Sequence, residues 1–188
     1  MKITLGPENC LYPSLTVLVG ANVDGKPNYV AIAWVGIMDT RIISVSSSAN
    51  HHTNKGIKEN KTFSVNIPSV DLVKETDYCG IVSGKHVDKG ALFDSFYGKL
   101  GTAPMIKGCP INMECRLMQT LEVPGSQEVF IGEIVETHCD EECLTEGRVD
   151  IARLRPFLFG IYDDAYWSVG ENFAKAFVAG KDLKGLEC

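Results

Sequence analysis

Residues 44–57, SVSSSANHHTNKGI, gather more chemistry-bearing side chains than any other stretch of the chain. Three successive serines (Ser46, Ser47, Ser48) are followed by Asn50, His51, His52, Thr53 and Lys55, and a helix begins there. The first N–H groups of a helix lack internal partners and carry its positive dipole end, so a helix start is an anion site in waiting. Hydroxyls of Ser46, Ser48 and Thr53 add donors, and His52 and Lys55 can add charge. Such a set suits a phosphate monoester. The same residue types also cap helices and turn chains, and the spacing alone leaves both readings open.

Residues 29–37, YVAIAWVGI, offer a second kind of surface. Ala31 and Ala33 are small beside Ile32 and Trp34, which lets a flat aromatic ligand reach the backbone N–H and C=O groups. Read for composition only, the stretch is a buried core strand. Residues 83–89, SGKHVDK, form a loop in which Ser83, Gly84 and Lys89 can meet an anion, although its polarity favours a solvated surface.

Other catalytic patterns are missing from the sequence. It holds no G-x-S-x-G, no H-E-x-x-H, no P-loop and no G-x-G-x-x-G after a strand. Its seven cysteines include no C-x-x-C, which weighs against iron–sulfur, zinc-ribbon and thioredoxin-like chemistry. Cys139 and Cys143 beside His138 have loose metal spacing, but Asp140, Glu141 and Glu142 surround them and free thiols are the better reading.

Strands must position these groups. Residues 15–23 are β-branched and end at the turn signal Asp24-Gly25-Lys26-Pro27, which predicts a hairpin with a strand over 29–37. Residues 41–47, 63–67, 111–123 and 128–137 read as further strands, with short ones at 157–161 and 166–169. Helices are short: 53–59, one capped by Ser69 and running to Tyr78, and 171–179 with Phe173, Ala176 and Phe177 on one face and Gly180 as its stop. A doubly wound α/β fold would need longer helices between strands. The pattern predicts a mainly β barrel with a few short helices.

With 188 residues, 45% apolar and 22% charged, the chain reads as one globular domain spanning 1–188. A formal charge of −6 argues against nucleic acid or an anionic membrane as partner. No apolar run approaches the roughly 18 residues of a membrane span, and the first residues break before a signal peptide's apolar core could form. The expectation is a soluble cytoplasmic protein.

Taken in order, the hairpin, NYVAIAW, RIISVSSS, HHTNKGI and FSVNIP resemble the flavin reductase-like family of FMN-binding split barrels, and its flavoredoxin branch most of all. CGIVSGKHVDK (79–89) and YWSVGENFAKAFVAGKDL (166–183) extend the resemblance over almost the whole chain. It implies a homodimer with one FMN per subunit. Ala31, Ile32, Ala33 and Trp34 would line the isoalloxazine edge, and Ser46, Ser47 and Ser48 the ribityl chain and phosphate. His52 and Thr53 would meet the phosphate, Ser83, Gly84 and Lys89 would close over it, and Tyr166 and Trp167 would lie near the ring. Relatives usually carry Thr at the place of Ala31 and many reductases carry Arg at that of His52, so a hydroxyl is lost and the phosphate partner becomes one that titrates near neutrality.

The function so implied is an electron carrier with tightly bound FMN, served by a redox protein such as a ferredoxin. The alternative is a flavin reductase using NAD(P)H. A non-redox binding module on the same barrel is the rival from another class.

Overall fold

The computed structural model describes residues 1–183, and Cys188 lies outside them. In chain order the first elements are β1 (Ser14–Leu15), β2 (Val17–Val23), β3 (Lys26–Ile32), β4 (Val35–Asp39), β5 (Ile42–Ser48), α1 (Thr53–Asn60), β6 (Thr62–Ile67) and α2 (Val73–Ile81). Then come β7 (Ser95–Phe96), β8 (Met105–Ile106), β9 (Ile111–Val123), β10 (Gln127–Cys139), β11 (Leu144–Thr145) and β12 (Arg148–Val149). A short α3 (Ile151–Leu154), β13 (Phe157–Gly160) and β14 (Ala165–Ser168) complete the set.

The first hairpin forms because Asp24 and Gly25 both take positive φ, 51° and 77°, the two-residue turn whose twist matches paired strands. Lys26 and Pro27, expected in that turn, belong to β3 and pair with Val23 and Asn22. Proline is tolerated there because β3 is a sheet edge and needs no N–H on its outer side.

Seven strands share one antiparallel sheet in the order β3-β2-β6-β9-β10-β5-β4. The two edges, β3 and β4, are consecutive in the chain and only Ala33 and Trp34 lie between them. Three Cα steps span about 11 Å at most. The sheet therefore has to curl until its edges almost meet, and Ala33–Trp34 crosses the remaining gap. Ser46 N–H donates to the Trp34 carbonyl at 2.8 Å and pins that crossing. The single strand expected over 29–37 is thus two strands on opposite edges of a split barrel. Its apolar composition was read correctly, but closure of the barrel requires the break at Ala33.

The interior is filled by alternate residues of the hairpin (Val17, Val19, Ala21, Val30, Ile32) with Val45, Ile57, Phe63, Val65, Cys115 and Phe130. Leu18 and Tyr29 point the other way into a second cluster with Cys79, Ile106 and Cys109 beneath α2. Burial on both faces explains why β2 carries apolar side chains on both faces rather than alternating. Each such side chain contributes about 1.5–3 kcal/mol.

Helix α1 packs on β2 through Gly56, where an added Cβ would collide with the Asn22 carbonyl. Alanine normally stabilises a helix by about 1 kcal/mol over glycine. Here Gly56→Ala is expected to reverse that sign and lower stability by about 2 kcal/mol in urea unfolding. Ser69 does cap, accepting from Asp71 N–H at 3.3 Å, but the first turn is 3₁₀ (Val70–Leu72) before α2 begins.

Residues 171–179 are not helical. Phe173 and Phe177 are 99% and 98% exposed, so the apolar face found no surface to pack against, and a segment this short does not hold a helix without one. Phe177 has φ 62°, outside helical space. Among the described residues no helix is long and apolar enough to cross a membrane.

Candidate ligand-binding site

The seam is where the molecule opens. Two adjoining cavities, of about 260 and 320 Å³, share Ala33, Trp34, Ser46, Phe159 and Ile161 as walls and form one groove. The larger is further lined by Ala31, Ile32, Ser48, His51 and Gln127. The smaller runs under the N-terminal segment, against Asn9, Leu11 and Tyr12. Small residues at 31 and 33 leave the backbone of the seam uncovered, while Phe159, Ile161 and the 47% exposed Trp34 make flat apolar walls. Sites that bury small organic ligands commonly have about 300–1,000 Å³.

Of the residues singled out from sequence, Ala31, Ile32, Ala33, Trp34, Ser46 and Ser48 meet in this groove. Ser47 and Thr53 stand behind its wall, almost fully buried. Ser47 Oγ donates to Asn54 Oδ1 (2.7 Å), and Thr53 Oγ1 accepts from Asn28 Nδ2 (2.7 Å), tying α1 to β3. His52 occupies the N-cap position of α1 without a side-chain capping bond and packs against Gly84. An added Cβ at Gly84 would strike the Asn28 side-chain amide, so this loop can approach the start of α1 only as glycine. Ser83 is exposed, its Oγ accepting from Lys85 N–H. Tyr166 lies away from the groove walls, donating to Asp77 (2.9 Å) and packing edge-on against Phe157. Burial and the Asp77 carboxylate push its phenol up to about 12.

Lys89 is 3% exposed and donates to the carbonyls of Cys79 (3.0 Å) and Val82 (3.2 Å), closing the C-terminal end of α2. Burial holds its pKa below the usual lysine value. Its charge also bears on His51, whose pKa lies below the ordinary value through burial first and Lys89 second.

His52, expected at a ligand phosphate, sits at the N-cap of α1, while its neighbour His51, not singled out as a binding residue from sequence, lines the groove. Ser47 stands four residues before His51 and Asn54 three after, a spacing that brings all three together around a turn and could have marked it. Gln127 and the aromatic wall from Phe159 carried no local signal.

None of the described cysteines lines the groove. All six described cysteines are free, and burial raises the pKa of Cys79 to about 11 and that of Cys109 and Cys115 further. His138 pairs with Glu114 at 3.2 Å, and Cys139 donates to the Asp140 carbonyl. Among the described residues, no three His, Cys, Asp or Glu side chains gather as a metal site.

A split β-barrel with a flat apolar groove at its seam and His51 on the groove wall ahead of α1 defines a class of small-cofactor-binding proteins. Residues 9–159 match the flavin reductase like domain, and the chain belongs to that family. It is 44% identical to the flavoredoxin of Methanosarcina acetivorans, with a TM-score of 0.94 over 97% of this chain and 99% of that one. The flavoredoxin of Desulfovibrio vulgaris (Miyazaki F) is 37% identical, with a TM-score of 0.88 over 96% and 100%. An uncharacterised protein of Archaeoglobus fulgidus shares 32% identity over 75% of this chain and 80% of its own.

Proposed function

We propose that the chain binds FMN in the seam groove and works as an electron carrier of the flavoredoxin type. The observation that carries this is one groove running from a backbone-exposing apolar seam to Ser48 and His51, the residues that lead into α1. FMN has a flat ring at one end and a phosphate monoester at the other, and the residues present fit both. When bound, it supplies one- and two-electron redox chemistry.

The chain's own work is to hold and to exclude. Backbone groups from Ala31 to Trp34 would meet the ring edge, with Phe159 and Ile161 keeping water from it. Ser46 and Ser48 would offer hydroxyls along the polar chain. The backbone N–H groups at the start of α1, with His52 beside them, would meet the phosphate. Ser47 and Thr53 keep that wall rigid from behind. The loop carrying Ser83, Gly84 and Lys89 adds positive charge, which favours an anionic reduced ligand. Tyr166 stiffens the sheet that carries Phe159, since it packs against that ring.

A homodimer belongs to the same reading, because Trp34, Ile37 and Met38 lie exposed along the seam and β4. So does the cytoplasm, whose reducing poise keeps free thiols reduced. The electron donor would be a small redox protein such as a ferredoxin; the second candidate is NAD(P)H.

An anaerobic visible spectrum of the purified protein tests this. Oxidised-flavin bands that persist with NADH or NADPH and bleach with reduced ferredoxin are expected. Prompt bleaching by a pyridine nucleotide would make it a reductase, and a colourless protein that FMN cannot reconstitute would end the flavin reading.

A further inference from the structure

A run of buried hydrogen bonds behind the groove can be read with its protons in place. Asn54 Nδ2 donates both its hydrogens, to the Ser48 carbonyl and to Glu128 Oε2, each at 2.9 Å. Its Oδ1 is therefore the acceptor for Ser47 Oγ–H at 2.7 Å. A hydroxyl has one proton, and that one is spent. The 2.9 Å contact between Ser47 Oγ and His51 Nδ1 can then only be a donation from His51 Nδ1–H. The anchor of the run, Glu128, is itself held by Lys58 Nζ at 2.8 Å through its other oxygen. This fixes the imidazole tautomer: Nδ1 keeps its proton, and Nε2, without a partner among the described residues, is the atom that titrates.

Among the described residues, His51 is also the one ionisable side chain on the wall of the larger cavity. It stands directly before the start of α1, where the N–H groups of His52 and Thr53 have no backbone partner. We propose that His51 is a proton-linked contact for the phosphate end of the bound ligand, its tautomer set from behind by Glu128 through Asn54 and Ser47. This rests on the FMN reading above and adds to it a pH dependence carried by one residue.

The charged group facing His51 is Lys89 from the loop after α2; Glu128 from β10, with its partner Lys58, stands behind it at the far end of the Asn54–Ser47 run. His52, Lys55, Asp24 and Lys85 surround the neighbouring helix start. Burial first and Lys89 second hold the pKa of the free ring below the ordinary histidine value, which favours its neutral form. A phosphate dianion at the start of α1 favours the imidazolium, so binding takes up a proton. The sign follows. Affinity is lowest above the ligand-bound pKa of His51, rises as pH falls through it, and levels off below the free-protein value.

Apo-protein titrated with FMN and with riboflavin between about pH 6.5 and 8.5 reads this directly, by quenching of flavin fluorescence. Phosphate esters lose their second proton near about pH 6, so the ligand stays largely dianionic across that range. FMN affinity is expected to rise about three- to ten-fold per unit fall in pH where His51 titrates, and riboflavin affinity to stay level. In His51→Gln the FMN profile flattens; Glu128→Gln moves its midpoint. Calorimetry of the unmodified protein in two buffers of different ionisation enthalpy gives the proton uptake without any variant. FMN binding with no proton uptake, or an unchanged slope in His51→Gln, overturns the proposal and leaves the FMN reading intact. Failure of both flavins to bind at any pH overturns the two together.

Discussion

The Ala33→Phe variant is expected to fold as the parent does and to lose FMN by at least about 100-fold, which corresponds to 2.7 kcal/mol of binding energy. Ala33 lines both halves of the groove and sits where the chain crosses between the sheet edges. A phenyl ring there occupies the space between Trp34, Phe159 and Ile161 that a flat ligand would fill. Because Ala33 is outside both β3 and β4, no ladder hydrogen bond is displaced. Stability should change by about 1 kcal/mol or less, since new apolar surface is buried against an existing wall. Flavin content after dialysis, read beside the melting temperature, checks both halves. A coloured variant with full flavin content would mean that the ligand lies elsewhere.

The largest stability effect is expected at Glu114, which is not among the groove walls. Its carboxylate is fully buried on β9 and accepts from Lys99 N–H (2.9 Å), Leu100 N–H (2.7 Å) and His138 Nε2 (3.2 Å). Glu114→Ala orphans two backbone donors at about 1–3 kcal/mol each, so a loss of about 3–5 kcal/mol is expected in denaturant unfolding. Gly98 lies against this carboxylate, with no room for a Cβ. Gly98→Ala should therefore be damaging in the parent and nearly silent in Glu114→Ala, a coupling of about 1–3 kcal/mol in a double-mutant cycle. Additive losses would mean that the loop does not hang on Glu114.

The same site has a pH signature. Burial alone would raise the Glu114 pKa, but the Leu100 and Lys99 N–H groups and His138 outweigh it and the carboxyl lies below its ordinary value. A depressed folded pKa stabilises the fold above the unfolded value, about 4.3, and that contribution is lost as pH falls through the folded one. Acid unfolding of the parent should therefore begin below about pH 4.3 and be shallower in Glu114→Ala.

Much of this protein was legible from residue order because its signals are local. The Asp24-Gly25 turn, the alternation in β6, the full length of β9 (Ile111–Val123) and the start of α1 at Thr53 depend on neighbours a few residues away. The small residues at 31 and 33 and the serines of β5 could be singled out for the same reason, and Ala31, Ala33, Ser46 and Ser48 do line one groove. The break at Ala33–Trp34 was not, because it comes from the closure of a sheet whose edges are set by long-range pairings, the widest joining Ile42 to Glu133. Nor were the directions of the two histidines: they are adjacent in sequence, and only the folded chain sets His51 against Ser47 and His52 against Gly84. The segment 171–179 shows the opposite failure, an amphipathic pattern for which no surface exists among the described residues. Local spacing decided which residues could form an element or offer a donor, while burial, closure and proton direction belong to groups far apart in the chain and were decided by the tertiary structure.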